Sequence, residues 1–137
     1  MEKRTYWMFV HDGGAGDGGL CCEFPDIPGC MTDGDNLDDL MKNATDALES
    51  MMEAIIENGP LPEPSDAAAL KAKADACEEP VLFVVPVTGY LSDTTASINI
   101  TSTYAKIAKI DAFAKRVHRT RSELMVEATL DYIRANA

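Results

Sequence analysis

Residues 97–101 place the strongest constraint on the fold of this chain, because they have the alternating pattern of one short strand and no second strand pattern follows them. Ile98 and Ile100 fall on one face of such a strand, and the polar residues between and around them fall on the other. A lone strand leaves its backbone amides and carbonyls without hydrogen-bond partners. We therefore predict that this segment pairs with its own copy from a second chain.

Two helical patterns follow the strand. The first has an apolar stripe at helical spacing, formed by Ile107, Ile110, Phe113, Ala114 and Val117. The second is predicted to begin after Thr120, because Thr120 and Glu123 have the spacing of a capping box, and to run to about Ile133. Its inward positions are predicted to be Leu124, Met125, Ala128 and Tyr132. This order predicts a dimeric ribbon-helix-helix (βαα) module whose dimer core comprises Ile98, Ile100, Ile107, Ile110 and Leu124.

A two-stranded ribbon is narrow enough to enter the major groove of DNA. The outer face of the predicted ribbon carries Ser97, Asn99 and Thr101, and asparagine is a natural partner of adenine. The second helix presents free amides and the positive end of its dipole to a phosphate, beside Thr120, Arg121 and Ser122. The end of the chain is therefore predicted to bind DNA.

Charge divides the chain in two. Residues 96–137 carry a net charge of +3 and residues 1–95 a net charge of −14, which together give −11 for the 137 residues. Only the tail has the sign that suits a phosphate backbone, whereas the acidic front suits a basic protein partner or simply a soluble surface. We predict two domains, with the boundary between residues 93 and 94.

The front is predicted to run strand, strand, short strand, helix, strand. Its first two strands are residues 5–10 and 20–24, joined by a glycine-rich loop. The long helix is predicted to begin at the N-cap Asp35 and to stop at residues 58–60. A short helix around residues 65–76 and an apolar run at residues 81–85 follow, and such a run is typical of a strand inside a sheet.

The four cysteines show neither a disulfide framework nor the spacing of a zinc site. His11 with Cys21, Cys22 and Cys30 can gather around a metal, but buried reduced thiols are the better interpretation. We therefore expect no metal site and no cofactor. No segment has the pattern of a signal peptide or of a membrane span, so we expect no membrane contact and a cytoplasmic location.

Two passages of the front resemble the HicB-type antitoxins. The first is the sequence FPDIPGC at residues 24–30, followed by Thr32 and Gly34, and the second is GPLPEPS at residues 59–65. The tail resembles the ribbon-helix-helix module in which some family members end, through residues 97–101 with Asp111, Ala114 and Arg121-Ser122. Together these resemblances cover nearly the whole chain.

The tail departs from the family pattern at three positions. His118 occupies the turn where the family usually has glycine, and histidine tolerates a left-handed backbone better than most residues. Ser102-Thr103 follows the strand in place of Leu-Pro, and Ser97 replaces an outward Arg or Lys. Base reading would then depend on Asn99 and two hydroxyls, so we expect modest affinity for DNA.

The resemblance implies an α+β fold with a partial ribonuclease-H-like βββαβ front domain. It also implies that the chain binds and neutralises HicA, a small basic toxin that cleaves mRNA, and represses its own operon. The expected partners are thus a HicA-type toxin, operator DNA and a second copy of the chain through the ribbon, with a tetramer left open. The toxin-binding residues are unknown.

Two other functions remain open at this point. One is a free-standing ribbon-helix-helix repressor whose front domain senses a ligand, and a neighbouring gene for a short basic protein would exclude it. The other is an active nuclease, which would need carboxylates gathered on a metal ion. Because the front acids sit in or beside loops, we expect no enzyme; these acids are Asp12, Asp17, Glu23 and Asp26.

Overall fold

The computed structural model describes residues 2–14, 16, 18–93 and 97–137. Their elements, in chain order, are β1 (Lys3–Asp12), β2 (Leu20–Glu23), β3 (Met31–Gly34), α1 (Leu37–Ile56), α2 (Ala67–Asp75), β4 (Phe83–Tyr90), α3 (Tyr104–Arg116) and α4 (Arg121–Asn136). Contacts between Cα atoms divide the chain into two compact units, Met1–Ile98 and Asn99–Ala137. The four strands and four helices of the described residues confirm the predicted mixed α+β architecture.

The first unit contains one antiparallel sheet with the strand order β3-β2-β1-β4. The central strand β1 pairs with β2 from Phe9 opposite Glu23 to Asp12 opposite Leu20, and with β4 along its other edge. The long helix α1 packs against β2, β3 and β4. The predicted hairpin and long helix are therefore present, and the short helix predicted around residues 65–76 is α2.

The core lies between the sheet and α1. Alternate residues of β1, namely Tyr6, Met8 and Val10, are fully buried on the face that meets the helix. From α1 come four fully buried residues at a spacing of four, Leu40, Ala44, Leu48 and Met52. Complete burial of a large apolar side chain contributes about 1.5–3 kcal/mol, so this interface supplies much of the stability of the unit.

The start of α1 differs by one residue from the prediction. Asn36, not Asp35, is the N-cap, and its side-chain oxygen accepts a hydrogen bond from the Asp39 amide at 2.9 Å. Both residue types cap helices well, so their order alone could not separate them. A Cβ atom on Gly34 would lie 2.5 Å from the Leu40 amide nitrogen, so only glycine lets the end of β3 meet the helix this closely.

The apolar run at residues 81–85 belongs to an edge strand, so the prediction of a strand inside the sheet is wrong. Within the described residues β4 pairs with β1 alone. Leu82 and Phe83 are 48% and 53% exposed. An apolar run indicates only that a segment favours a sheet, because hydrophobic periodicity does not determine whether the strand pairs with one neighbouring strand or with two.

The Asp26 carboxylate joins the two passages that carry the family resemblance in this unit. Its side chain is only 4% exposed. It accepts hydrogen bonds from the Ser65 amide at 2.8 Å, from the Ser65 hydroxyl, and from Lys73 Nζ at 2.9 Å. Nearby, the Tyr6 hydroxyl donates to the Pro62 carbonyl at 2.6 Å. The loop between β2 and β3 is thereby fastened to the proline passage and to α2.

These contacts also set the ionisation of Asp26. Burial disfavours the carboxylate, but the hydrogen bonds from Ser65 and the ammonium of Lys73 outweigh it, so the pKa of Asp26 lies below its ordinary value. Because the pKa is lower in the folded chain than in the unfolded chain, Asp26 stabilises the fold at neutral pH. That contribution is lost as the pH falls through the acid range below about 4.

Replacement of Asp26 by alanine should therefore destabilise the fold, since it leaves the Ser65 amide without a partner. We expect Asp26→Ala to lower the free energy of unfolding by about 1.5–3 kcal/mol at pH 7. Asp46→Ala removes an exposed carboxylate of α1 and should change it by less than about 0.5 kcal/mol. Urea denaturation measures both, and the gap between wild type and Asp26→Ala should narrow at acid pH. Equal stability of the two variants would refute this role.

Candidate functional site

The second unit is built from two capped helices. Thr103 is the N-cap of α3, and its side chain accepts a hydrogen bond from the Lys106 amide at 3.3 Å. This role is not evident from the sequence, where Ser102-Thr103 stands out only as a departure from Leu-Pro. At α4 the predicted capping box is confirmed, with the Glu123 amide donating to the Thr120 hydroxyl at 3.1 Å and the Thr120 amide donating to the Glu123 carboxylate at 3.2 Å.

The turn between the helices is closed by His118. Its φ of 57° is in the left-handed region, as predicted for a residue that stands where the family usually has glycine. The turn is held by a hydrogen bond from the Arg119 amide to the Ala114 carbonyl at 2.8 Å. Helix α4 then extends to Asn136, three residues beyond the predicted end at Ile133.

Arg121 has a protein partner, Asp111, that the sequence does not predict. Its Nε and one Nη atom each donate to an oxygen of Asp111 at 2.7 Å, a bidentate pair that ties the start of α4 to α3. The Arg121 guanidinium holds the pKa of Asp111 below its ordinary value. Arg121 remains 57% exposed, so part of its guanidinium stays accessible to a phosphate. Its contact with DNA stays a prediction.

The predicted ribbon segment is neither helix nor strand within the single chain. Ser97, Asn99 and Thr101, which are predicted to read the bases, are all exposed. Ile98 and Ile100 are each 59% exposed, although the sequence predicts them inside a dimer core. A strand is defined by hydrogen bonds to a neighbour, so the pairing of this segment with a second chain stays a prediction.

The helix pair does not bury its own apolar stripes. Within the second unit Ala114 is the one buried apolar residue, and Ile107, Ile110 and Leu124 of the predicted dimer core are half-buried. The predicted inward positions Ala128 and Tyr132 are exposed. Five further apolar side chains of the two helices and their turn are exposed as well: Phe113, Val117, Val126, Leu130 and Ile133. The two helices therefore leave most of their large apolar side chains exposed or half-buried.

The candidate metal ligands of the front are not gathered as the sequence allows. Cys22 and Cys30 belong to the buried core beneath α1, and burial raises the pKa of Cys22 to about 11. Both therefore act as reduced apolar thiols. Among the acids, Asp26 is committed to Ser65 and Lys73, and Asp17 lies outside the described residues. Within the described residues the acids form no cluster of carboxylates.

The comparison with protein families identifies the chain. A model of the HicB-like antitoxin of bacterial toxin–antitoxin systems matches residues 6–129. The chain belongs to this family. Members act as antitoxins, which confirms the resemblance to the HicB-type family and the expectation that the chain is not an enzyme.

Solved structures resemble the chain as well. One is a chain in a toxin–antitoxin complex from Streptococcus pneumoniae, which is 23% identical to this chain. The alignment covers 96% of this chain and 99% of that one, and its TM-score of 0.50 shows a shared fold. The antitoxin HicB of Burkholderia pseudomallei is 25% identical over 97% of this chain and 98% of that chain, with a TM-score of 0.48. A chain in a complex of HicA3 and HicB3 is 26% identical over 65% of this chain and 99% of that chain, with a TM-score of 0.41.

A sequence comparison with curated proteins found no match. Among the described helices none combines the length and the hydropathy needed to span a membrane.

Proposed function

We propose that this antitoxin neutralises a HicA-type toxin through its front domain, residues 1–93, and represses its own operon through a DNA-binding tail, residues 94–137. The observation that carries this proposal is the charge difference between the two parts, −14 for residues 1–95 and +3 for residues 96–137. An acidic surface speeds and orients the approach of a basic protein, and a basic one attracts a phosphate backbone. With a toxin and operator DNA as its partners, the proposed location of the chain is the cytoplasm.

The front domain supplies the protein-binding function. Family membership favours an antitoxin over a free-standing repressor with a ligand-sensing front, since an antitoxin requires a toxin partner. We also propose that the front keeps a partial ribonuclease-H-like fold without its chemistry. The acid best placed in the interior, Asp26, is neutralised by Lys73 and by two hydrogen bonds from Ser65, so it has no free oxygen to offer a catalytic metal.

Truncation tests the proposed division of labour. A chain that ends at Asp93 should still co-purify with a HicA-type toxin and restore growth when the toxin is expressed, because the sheet and α1 form their own core. It should lose binding to the operator. The matched control is residues 94–137 alone. The division would be overturned if residues 94–137 captured the toxin, or if residues 1–93 failed to co-purify with it.

The tail is proposed to dimerise before it binds DNA. Ile98 and Ile100 are exposed, and α3 and α4 together bury a single apolar residue, so a second copy would supply the missing half of the core. Pairing of residues 97–101 between copies would also satisfy their backbone groups. Further pairing of dimers through the front units would give a tetramer.

A charge on the buried face of the ribbon should break the dimer. In Ile100→Asp the carboxylate would be buried without a counter-charge, so we expect the chain to become monomeric. Ser97→Asp places the same charge on the outer face of the same strand and should leave the dimer intact. Light scattering on a sizing column measures the mass of each. A monomeric wild type, or an unchanged oligomer for Ile100→Asp, would exclude the ribbon.

DNA recognition is proposed to use two groups of residues with different roles. Asn99 would contact a base edge, flanked by Ser97 and Thr101, and this contact would distinguish the operator from random DNA. The start of α4, with Thr120, Arg121 and Ser122, would hold the DNA backbone through free amides and a cation. The capping box uses the amides of Thr120 and Glu123, so the amides of Arg121 and Ser122 and the exposed part of Arg121 support this assignment.

Substitutions in the two groups should give different signatures. Asn99→Ala should cost about 1–3 kcal/mol on the operator and little on random DNA. Arg121→Ala should weaken both and lower the salt slope by about one unit. Asp111→Ala is the control, because it breaks the ion pair but keeps the cation. Titrations at fixed salt decide: if Asp111→Ala reproduces Arg121→Ala, then Arg121 is structural, and if Asn99→Ala binds normally, the ribbon does not read the operator.

A further inference from the structure

Three side chains that are distant in the sequence meet on the face of the sheet opposite α1. His11 near the end of β1 is a diagonal neighbour of Glu23 at the end of β2, since His11 pairs with Cys21 two residues away. Cys77 follows α2 and reaches the same place. The His11 Nε2 atom lies 3.9 Å from a Glu23 oxygen, and the Cys77 Sγ atom lies 3.7 Å from it. All three groups place one ligand atom within 4.8 Å of the others.

The orientation of His11 suits a metal ligand. Its Nδ1 lies 2.8 Å from the Pro80 carbonyl oxygen, and since a carbonyl only accepts, Nδ1 carries the hydrogen. In the neutral imidazole this leaves the lone pair on Nε2, the atom that faces Glu23. At 3.9 Å the separation from Glu23 is too long for a hydrogen bond, and Nε2 makes none within the described part of the chain. A backbone carbonyl on the other nitrogen is the usual outer-shell support of a metal-binding histidine.

We propose that His11, Glu23 and Cys77 form a Zn²⁺ site with water as the fourth ligand. Imidazole nitrogen, thiolate sulfur and carboxylate oxygen are the donors that zinc takes in proteins. Tetrahedral bonds of ordinary length would place these atoms about 3.3–3.6 Å apart, so the side chains need to close by only a few tenths of an ångström to about one ångström. The site opens into a cavity of about 430 Å³, which has room for the water.

Such an ion would fasten the segment between α2 and β4 to the sheet. Cys77 and Pro80 belong to this segment, whereas His11 and Glu23 belong to two paired strands. In the described chain the segment already meets the sheet through the Pro80 carbonyl and through the Leu82 amide, which donates to the Val10 carbonyl at 2.7 Å. The proposed role is therefore structural: the bound ion stabilises the front unit.

Metal titration of the full chain tests the site. After treatment with a chelator under reducing conditions, the wild type should bind one Zn²⁺ per chain in calorimetry, and its melting temperature should rise with added Zn²⁺. Co²⁺ should give a thiolate-to-cobalt charge-transfer band. Cys77→Ser should lower the affinity for Zn²⁺ at least about tenfold and abolish this band.

Cys21→Ser is the matched control, because Cys21 lines the same cavity but lies outside the three-residue cluster. It should keep both the Zn²⁺ affinity and the cobalt band. Circular dichroism of the metal-free variants verifies that each is folded. A wild type that binds no Zn²⁺, equal affinity in Cys77→Ser and wild type, or loss of binding in Cys21→Ser instead would each overturn the assignment.

Discussion

One buried charge connects three segments of the front unit. A carboxylate removed from water must be met by donors, and Asp26 finds them on Ser65 and Lys73, which lie far along the chain. That requirement fixes where the proline passage ends and where α2 begins, because Asp66, the residue after Ser65, is the N-cap of α2. The position of α2 in turn places Cys77 and Pro80 against Glu23 and His11. Asp26 thus connects the loop between β2 and β3 to the end of the proline passage and to α2.

A different constraint governs the tail. Its helices are individually well specified by Thr103, Thr120 and the left-handed His118, yet among the described residues the pair fully buries only one apolar residue, Ala114. Good caps and a poor core mean that local interactions set the secondary structure while tertiary stability must come from elsewhere. A second copy is the simplest source, because it would cover the isoleucines of residues 97–101 and pair their backbone together. The proposed DNA surface would then exist only in the assembled dimer.

Local patterns were enough to predict much of the fold. The hairpin of β1 and β2, the buried stripe of α1 and the capping box at Thr120 all follow from spacing over a few residues. Position within a sheet does not: the apolar run at residues 81–85 predicts a strand inside the sheet, whereas β4 lies at its edge. Spacing rules also do not predict hydrogen bonds between residues that are far apart in the sequence, such as Asp26 and Ser65.

The residues that matter for the proposed sites show the same division. Spacing within the tail placed Thr120 and Glu123 correctly, whereas the partner of Arg121, Asp111, is ten residues away and only the path of the turn brings it close. Cys77 and Glu23 are 54 residues apart in the sequence, and no local spacing rule links them. Contacts made by folding, rather than by a single helix or strand, therefore define the parts of the sites that the sequence could not predict.

Hydrogen exchange on the full chain tests most directly whether the two units serve two different partners. We predict that a HicA-type toxin slows amide exchange in residues 2–93 and leaves the start of α4 unchanged. Operator DNA should slow exchange in residues 97–101 and 120–123 and leave β1 and α1 unchanged. Protection by the toxin confined to residues 97–137, or protection by DNA confined to the sheet, would contradict the account.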